Sequence, residues 1–197
     1  MPEQQYTELQ IDALREVANT GSGHAAGDLS EMLGHSFEIS VPRAVVTDIG
    51  DAIEQLGGAE NEVSAVGIRV GGDVEAMLVA MFTPEQASNL CMLLGIESDS
   101  DMGRSVLQEV GNVLACAYAN VLAEMSGISW DVHPPDVMTD MLGSIVSSLI
   151  AATTRDITGV LLIDSKLSVN DADAEMSVLF VPFDDGIDQL LQRLGVG

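Results

Sequence analysis

The chain has 197 residues, 47% of them hydrophobic, with 31 acidic against 7 basic side chains and a formal net charge of -24. That length suits one domain or two small fused repeats, and the apolar content is enough to drive burial, which excludes a disordered polyanion. The charge excludes nucleic acid and anionic lipid as partners, since affinity for both rests on Lys and Arg meeting phosphate, and it favours a partner with a basic surface.

Taken in chain order, Thr7 followed by Gln10 has the spacing of a capping box and predicts a helix over about 8 to 34. Extended segments are expected at about 37 to 47, 63 to 71 and 74 to 83, the last two joined through Gly71, Gly72 and Asp73, a hairpin signal. Pro84 opens a short helix ending near Gly95. A long helix follows at about 102 to 127, a strand at 128 to 133, a helix at 136 to 151, strands at 156 to 167 and 174 to 183, and a final helix to Gly195. Each half reads helix, strand, short helix, hairpin, helix. Hairpins favour antiparallel pairing, so the expected class is α+β rather than a doubly wound parallel fold.

The order repeats because the chain is internally duplicated. NTGSGHAAGDLSEMLG (19 to 34) aligns without gaps to NVLACAYANVLAEMSG (112 to 127), pairing Leu29 with Leu122, Glu31 with Glu124, Met32 with Met125 and Gly34 with Gly127. A period of 93 residues is too long for a solenoid and suits a two-fold pseudo-symmetric domain. The expectation is one domain over 1–197, with repeat one at about 8–95 and repeat two at about 101–195 sharing one antiparallel sheet and core.

Several motifs that suggest chemistry do not hold. Gly21-Ser-Gly23-His-Ala-Ala26 imitates a dinucleotide fingerprint, but a helical pattern precedes it where a strand is required, and small residues for close helix packing explain it better. His24, His35 and His133 lack ligand spacing, so no metal site is expected. Cys91 and Cys116 have no CxxC or Cys/His company and read as buried free thiols. The N-terminal MPEQQYTELQ lacks the basic and apolar regions of a signal peptide. No run approaches the 18 apolar residues of a spanning helix, so the protein is expected to be cytoplasmic, without membrane insertion.

What remains is a polar face that occurs twice. In DALREVAN, Asp12, Glu16 and Asn19 share one side of the helix at i, i+4 and i+7, with Pro42 further on. SVLQEVGN repeats this 93 residues later as Ser105, Glu109 and Asn112, with Pro135 at the same interval. Flanking residues have diverged, Ala25 against Tyr118 and Gly27 against Asn120, while Glu and Asn stay. A Glu on a solvated helix face needs no explanation. A mid-helix Asn is costlier, losing several tenths of a kcal/mol relative to Ala unless it has a role.

This pattern resembles the CheC, CheX and FliY family of phosphatases that act on the chemotaxis response regulator CheY, over residues 8 to 195. Two complete motifs make the resemblance one to the CheC type, and Ser105 in place of Asp12 is within the family's pattern. The resemblance implies two phosphatase sites, Glu16 with Asn19 and Glu109 with Asn112, supported by Asp12, Ser105, Pro42 and Pro135. It implies a phosphorylated CheY receiver as substrate. No cofactor of the chain's own is implied, since the receiver supplies Mg.

The residue types suit that chemistry. A phosphorylated receiver carries its own metal ion, and what limits hydrolysis is a water held in line with phosphorus. A primary amide donates and accepts without charge, whereas a carboxylate there would repel the phosphoryl group by about 4 kcal/mol per unit-charge pair at about 4 Å and an effective dielectric of about 20. Glu16 and Glu109, a turn earlier, would dock the receiver's active-site lysine.

The resemblance also implies a second partner, the deamidase CheD, with Asp140 and Met141 on an exposed helix of PPDVMTDMLGSIVSSLIA (134 to 151). The alternative at that segment is that Met141, Ile145 and Leu149 are a buried stripe. The alternative for the whole chain is a non-catalytic adaptor that binds CheD or a receiver. An acidic surface with one lysine, Lys166, around an ordinary core looks adapted to a salt-rich cytosol, as in a halophilic archaeon.

Overall fold

The computed structural model describes residues 6–151, 156–157, 159–169 and 172–197. Helix α1 (Glu8–Leu33) opens on the capping box: Thr7 Oγ1 accepts from the Gln10 N–H at 3.3 Å and Gln10 Oε1 accepts from the Thr7 N–H at 2.8 Å. β1 (Phe37–Thr47), α2 (Ile49–Gln55), the hairpin of β2 (Glu62–Gly72) and β3 (Ala76–Phe82), and α3 (Pro84–Leu93) complete the first half. The second half runs α4 (Asp101–Ser126), β4 (Trp130–Val132), β5 (Asp136–Met141), α5 (Leu142–Ala151), β6 (Val160–Val169), β7 (Ala172–Pro182) and α6 (Gly186–Arg193). Its helix α4 is capped by Ser100 and ends, as α1 does at Gly34, on a left-handed glycine, Gly127.

The strands form one antiparallel sheet in the order β1-β6-β7-β3-β2-β4, with β5 also on β2. The α+β class and the shared antiparallel sheet are as the sequence indicates. The order reads the same from either end when each strand is exchanged for its counterpart, so the pseudo-two-fold passes between β3 and β7. The first strand of each repeat crosses over: β1 pairs with the second hairpin, and β4 and β5 pair with the first. Each half therefore completes the other's sheet.

Two expectations need correction. Residues 136–141, expected as the start of a helix, are strand β5, paired with Glu62–Gly67 of β2, and the helix begins only at Leu142. Pro134 and Pro135 favour extended backbone before them, and the open edge of β2 supplies the ladder that local spacing cannot reveal. The segment 49–55 is α2, the short helix that the pattern of each half places between strand and hairpin, and it is capped by Asp48 Oδ1 accepting from the Asp51 N–H at 2.8 Å. The 93-residue period already held the answer for 136–141, because it lays 43–47 of β1 on 136–140 and Ile49 on Leu142. β6 also starts at Val160 rather than at 156, where Ile157 makes only an isolated bridge to Asp184.

The sheet has a core on each face. On one, Ile68, Leu78, Phe82, Leu161, Ile163 and Phe180 meet buried residues of α1, α3, α4 and α6. On the other, Ala65, Val79, Leu162 and Leu179 meet the shorter α2 and α5. By length and composition α4 is apolar enough to cross a membrane, against expectation, yet 61% of its most apolar window is buried in this fold.

Candidate functional site: the acid and amide faces of α1 and α4

Burial decides which way each helix faces. Leu14, Val17, Ala18, Gly21, Ser22, Ala25 and Leu29 of α1 are buried, which turns Asp12, Glu16 and Asn19 to solvent. In α4 the buried set includes Val106, Leu107, Val110, Gly111 and Leu114, which leaves Ser105 and Glu109 exposed and Asn112 half-buried. The acid and amide of each pair thus share an outer surface one turn apart, on a convex helix rather than in a pocket. A cleft of about 740 Å3 lined by Arg43, Asn61, Asp164, Lys166 and Glu175 contains none of them.

The two faces are held in a fixed relation because α1 packs on α4. A Cβ on Gly21 would stand 2.5 Å from Tyr118 Cδ1, so the absence of a side chain lets the Tyr118 ring lie against α1. Gly23 and Gly27 face open space, so close packing explains the first glycine of that stretch and not the others. On its sheet side, α4 approaches β2 closely enough that a Cβ on Gly111 would meet Val66 at 2.6 Å.

The faces are not equivalent. In the first, Arg15 Nη1 donates to Asp12 Oδ1 at 3.0 Å, and among the described residues no hydrogen-bond partner holds the Asn19 amide. In the second, Gln108 and Ser105 stand where Arg15 and Asp12 do, and the Cys116 thiol donates to Asn112 Oδ1 at 3.7 Å. Gly23 occupies the position of Cys116. Burial pushes the Cys116 thiol pKa up, so this thiol stays protonated and able to donate at neutral pH. The sequence pattern does not single out Arg15 or Cys116, although Asp12–Arg15 at i, i+3 and Asn112–Cys116 at i, i+4 are spacings that place side chains together.

The prolines lie where each repeat's first strand breaks. Pro42 falls within β1, between the register shift at Ser40 and Arg43, and β1 is an edge strand, where proline is tolerated. Pro135 sits in the break between β4 and β5. Asp140 and Met141 end β5 rather than lying on a helix, and both are exposed. The buried-stripe alternative holds for Ile145 and fails for Met141, which is 48% exposed. Val137 and Ile150 are exposed apolar residues of the same β5–α5 segment.

Fold and site define a class: a duplicated α+β domain, its first strands exchanged, that presents an acid and an amide on each of two packed helices. The model of the CheC-like family matches residues 9–46 and 102–139, two segments displaced by the same 93 residues and each containing one complete motif. The chain is 26% identical to the CheY-P phosphatase CheC of Bacillus subtilis over 95% of each chain. It is 24% identical to the CheC1 protein of Halobacterium salinarum over 88% of this chain and 90% of that one. Among solved structures, FliY of Thermotoga maritima shares the fold at 17% identity and a TM-score of 0.72, covering 96% of this chain and 98% of that one. A chain of the CheX-CheY-BeF3-Mg complex of Borrelia burgdorferi shares it more loosely, at 19% identity and a TM-score of 0.50, covering 88% of this chain and 99% of that one.

Proposed function

We propose that this chain is a CheC-type phosphatase that hydrolyses the aspartyl phosphate of a CheY receiver, with two sites, Glu16 with Asn19 and Glu109 with Asn112. The observation that carries the reading is that both acid and amide pairs, a full repeat apart in sequence, reach the outer surface of packed helices. The likeness to a named CheY-P phosphatase over almost the whole chain supports it.

In this reading the receiver brings the phosphoryl group and its Mg, and this chain brings position. Glu16 or Glu109 docks a cation at the receiver's active site, which sets how deep the helix enters. Asn19 or Asn112 then holds a water in line with phosphorus, accepting a hydrogen bond from it through Oδ1 while Nδ2 donates to an acceptor beside it. Exposure on a convex helix suits a substrate that is itself a folded domain with a recessed site. Asp12, Ser105, Pro42 and Pro135 support the helices and the strands that follow. We place the protein in a salt-rich cytoplasm on its charge. A second partner, CheD, is proposed for the β5–α5 surface, where Asp140 and Met141 stand beside exposed Val137 and Ile150.

The test is the lifetime of a phosphorylated receiver from the same organism, in molar KCl, with catalytic amounts of the wild type, Asn19→Ala, Asn112→Ala and the double variant. The reading requires faster decay with the wild type and none with the double variant. Unchanged decay despite measurable binding would leave the adaptor reading instead.

A further inference from the structure

We propose that Arg15 is the phosphoryl-binding cation of the first site, and that the second site works without one; this rests on the phosphatase reading above. Arg15 precedes Asn19 by four residues, which puts the two on one face with Cβ atoms about 5–6 Å apart. Side chains of a helix lean toward its N-terminus, so the Asn19 amide lies over the turn that carries Arg15 and Glu16. A phosphoryl group that meets Asn19 therefore arrives within reach of the guanidinium.

The free protein keeps that guanidinium on Asp12, in a pair whose side chains are 56% and 67% exposed. An exposed pair of this kind is weak, so exchanging the Asp12 carboxylate for phosphoryl oxygens costs little, and Arg offers them a bidentate fork. The acidic surface gives the cation its importance, because the net charge of -24 repels a phosphoryl group and Arg15 is the only Lys or Arg in α1.

The second site has exchanged both members of the pair for neutral residues, Ser105 for Asp12 and Gln108 for Arg15. The one arginine of α4, Arg104, stands eight residues before Asn112, about 12 Å along the helix, and its guanidinium lies on the Asp101 carboxylate and, at 3.0 Å, on the Asp99 carbonyl, away from the amide. The two sites therefore differ in how they meet charge, and the ratio of their activities shifts with ionic strength.

The experiment uses full-length single-site proteins: Asn112→Ala, which keeps the first site, and Asn19→Ala, which keeps the second. Adding Arg15→Gln to the first-site protein should lower kcat/KM for the phosphorylated receiver about tenfold, the loss expected of one charge-assisted hydrogen bond, and flatten its decline with KCl. Arg15→Lys should restore most of the rate, and Arg104→Gln, an equal change of charge, should leave it unchanged. The second-site protein should show the flatter salt profile from the start. An Arg15→Gln variant with an unchanged rate and salt slope overturns the inference while the phosphatase reading stands. An equal loss in Arg104→Gln reduces it to net charge and overturns it as well. Failure of the wild type to hasten decay removes both readings together.

Discussion

The hydroxyl of Tyr118 lies 2.7 Å from Ser22 Oγ, joining the two long helices inside the core, and 3.2 Å from Ser165 Oγ, joining both to β6. All three groups are buried. Ser22 follows Asn19 by three residues and Tyr118 follows Asn112 by six, so this one phenol links the helices that present both amides. Tyr118→Phe should cost about 1–3 kcal/mol, because it strips a partner from two buried hydroxyls. Gly21→Ala should cost a similar amount by driving a methyl into the Tyr118 ring. Urea unfolding at fixed salt checks both.

Replacing both amides should separate activity from stability. Asn19→Ala with Asn112→Ala should lower receiver dephosphorylation by about 100-fold or more, the scale of a lost positioning group. Stability should hold or rise by several tenths of a kcal/mol, since Ala suits a helix interior better than Asn. A large loss in thermal midpoint would instead mark the amides as structural.

Cys116 should matter to the second site alone. Cys116→Ser keeps a donor for Asn112 Oδ1, whereas Cys116→Ala removes it. In the single-site protein carrying Asn19→Ala, the serine variant should keep the rate and the alanine variant should lose a few-fold. The protein carrying Asn112→Ala should be indifferent to either change.

Alkaline pH should destabilise the fold in two stages. Burial raises the thiol pKa of Cys91 and Cys116 above 9.0 and the phenol pKa of Tyr118 and Tyr6 above 10.0, with Asp188 adding to the effect on Tyr6. The unfolded chain gives up these protons first, so the stability they contribute is complete below the ordinary value and is lost as pH rises through the folded one. Thermal midpoints across the alkaline range should fall first past 9.0 and again past 10.0, and Tyr118→Phe should soften the second fall.

Salt should stabilise the protein. At about 0.01 M ionic strength the screening length is about 30 Å and the excess negative charge repels itself across the domain; at about 1 M it is about 3 Å. The thermal midpoint should climb steeply with KCl, and charge-neutralising substitutions at exposed Asp and Glu should flatten the climb.

Much of this was legible in the sequence because it rests on local rules. The capping box at Thr7, the glycine ends of α1 and α4, the Gly71-Gly72-Asp73 hairpin and the outward faces of Glu16, Asn19 and Glu109 follow from spacing and periodicity alone. So did the duplication, because its signal is the 93-residue match itself. The spacing of residues 136–141 fits a helix, while their strand conformation depends on an edge of β2 some 75 residues away in sequence. The same distance hid the exchange of first strands, in which β1 completes the second hairpin and β4 with β5 completes the first.

The sequence by itself determined which side chains each helix turns outward, since an amphipathic pattern needs only some core to face. The tertiary structure decided how the two halves share that core: which edge takes which strand, how Gly21 receives Tyr118, and what surrounds each amide. Those are contacts between residues far apart in the chain, and their energies exist only once the chain has closed on itself.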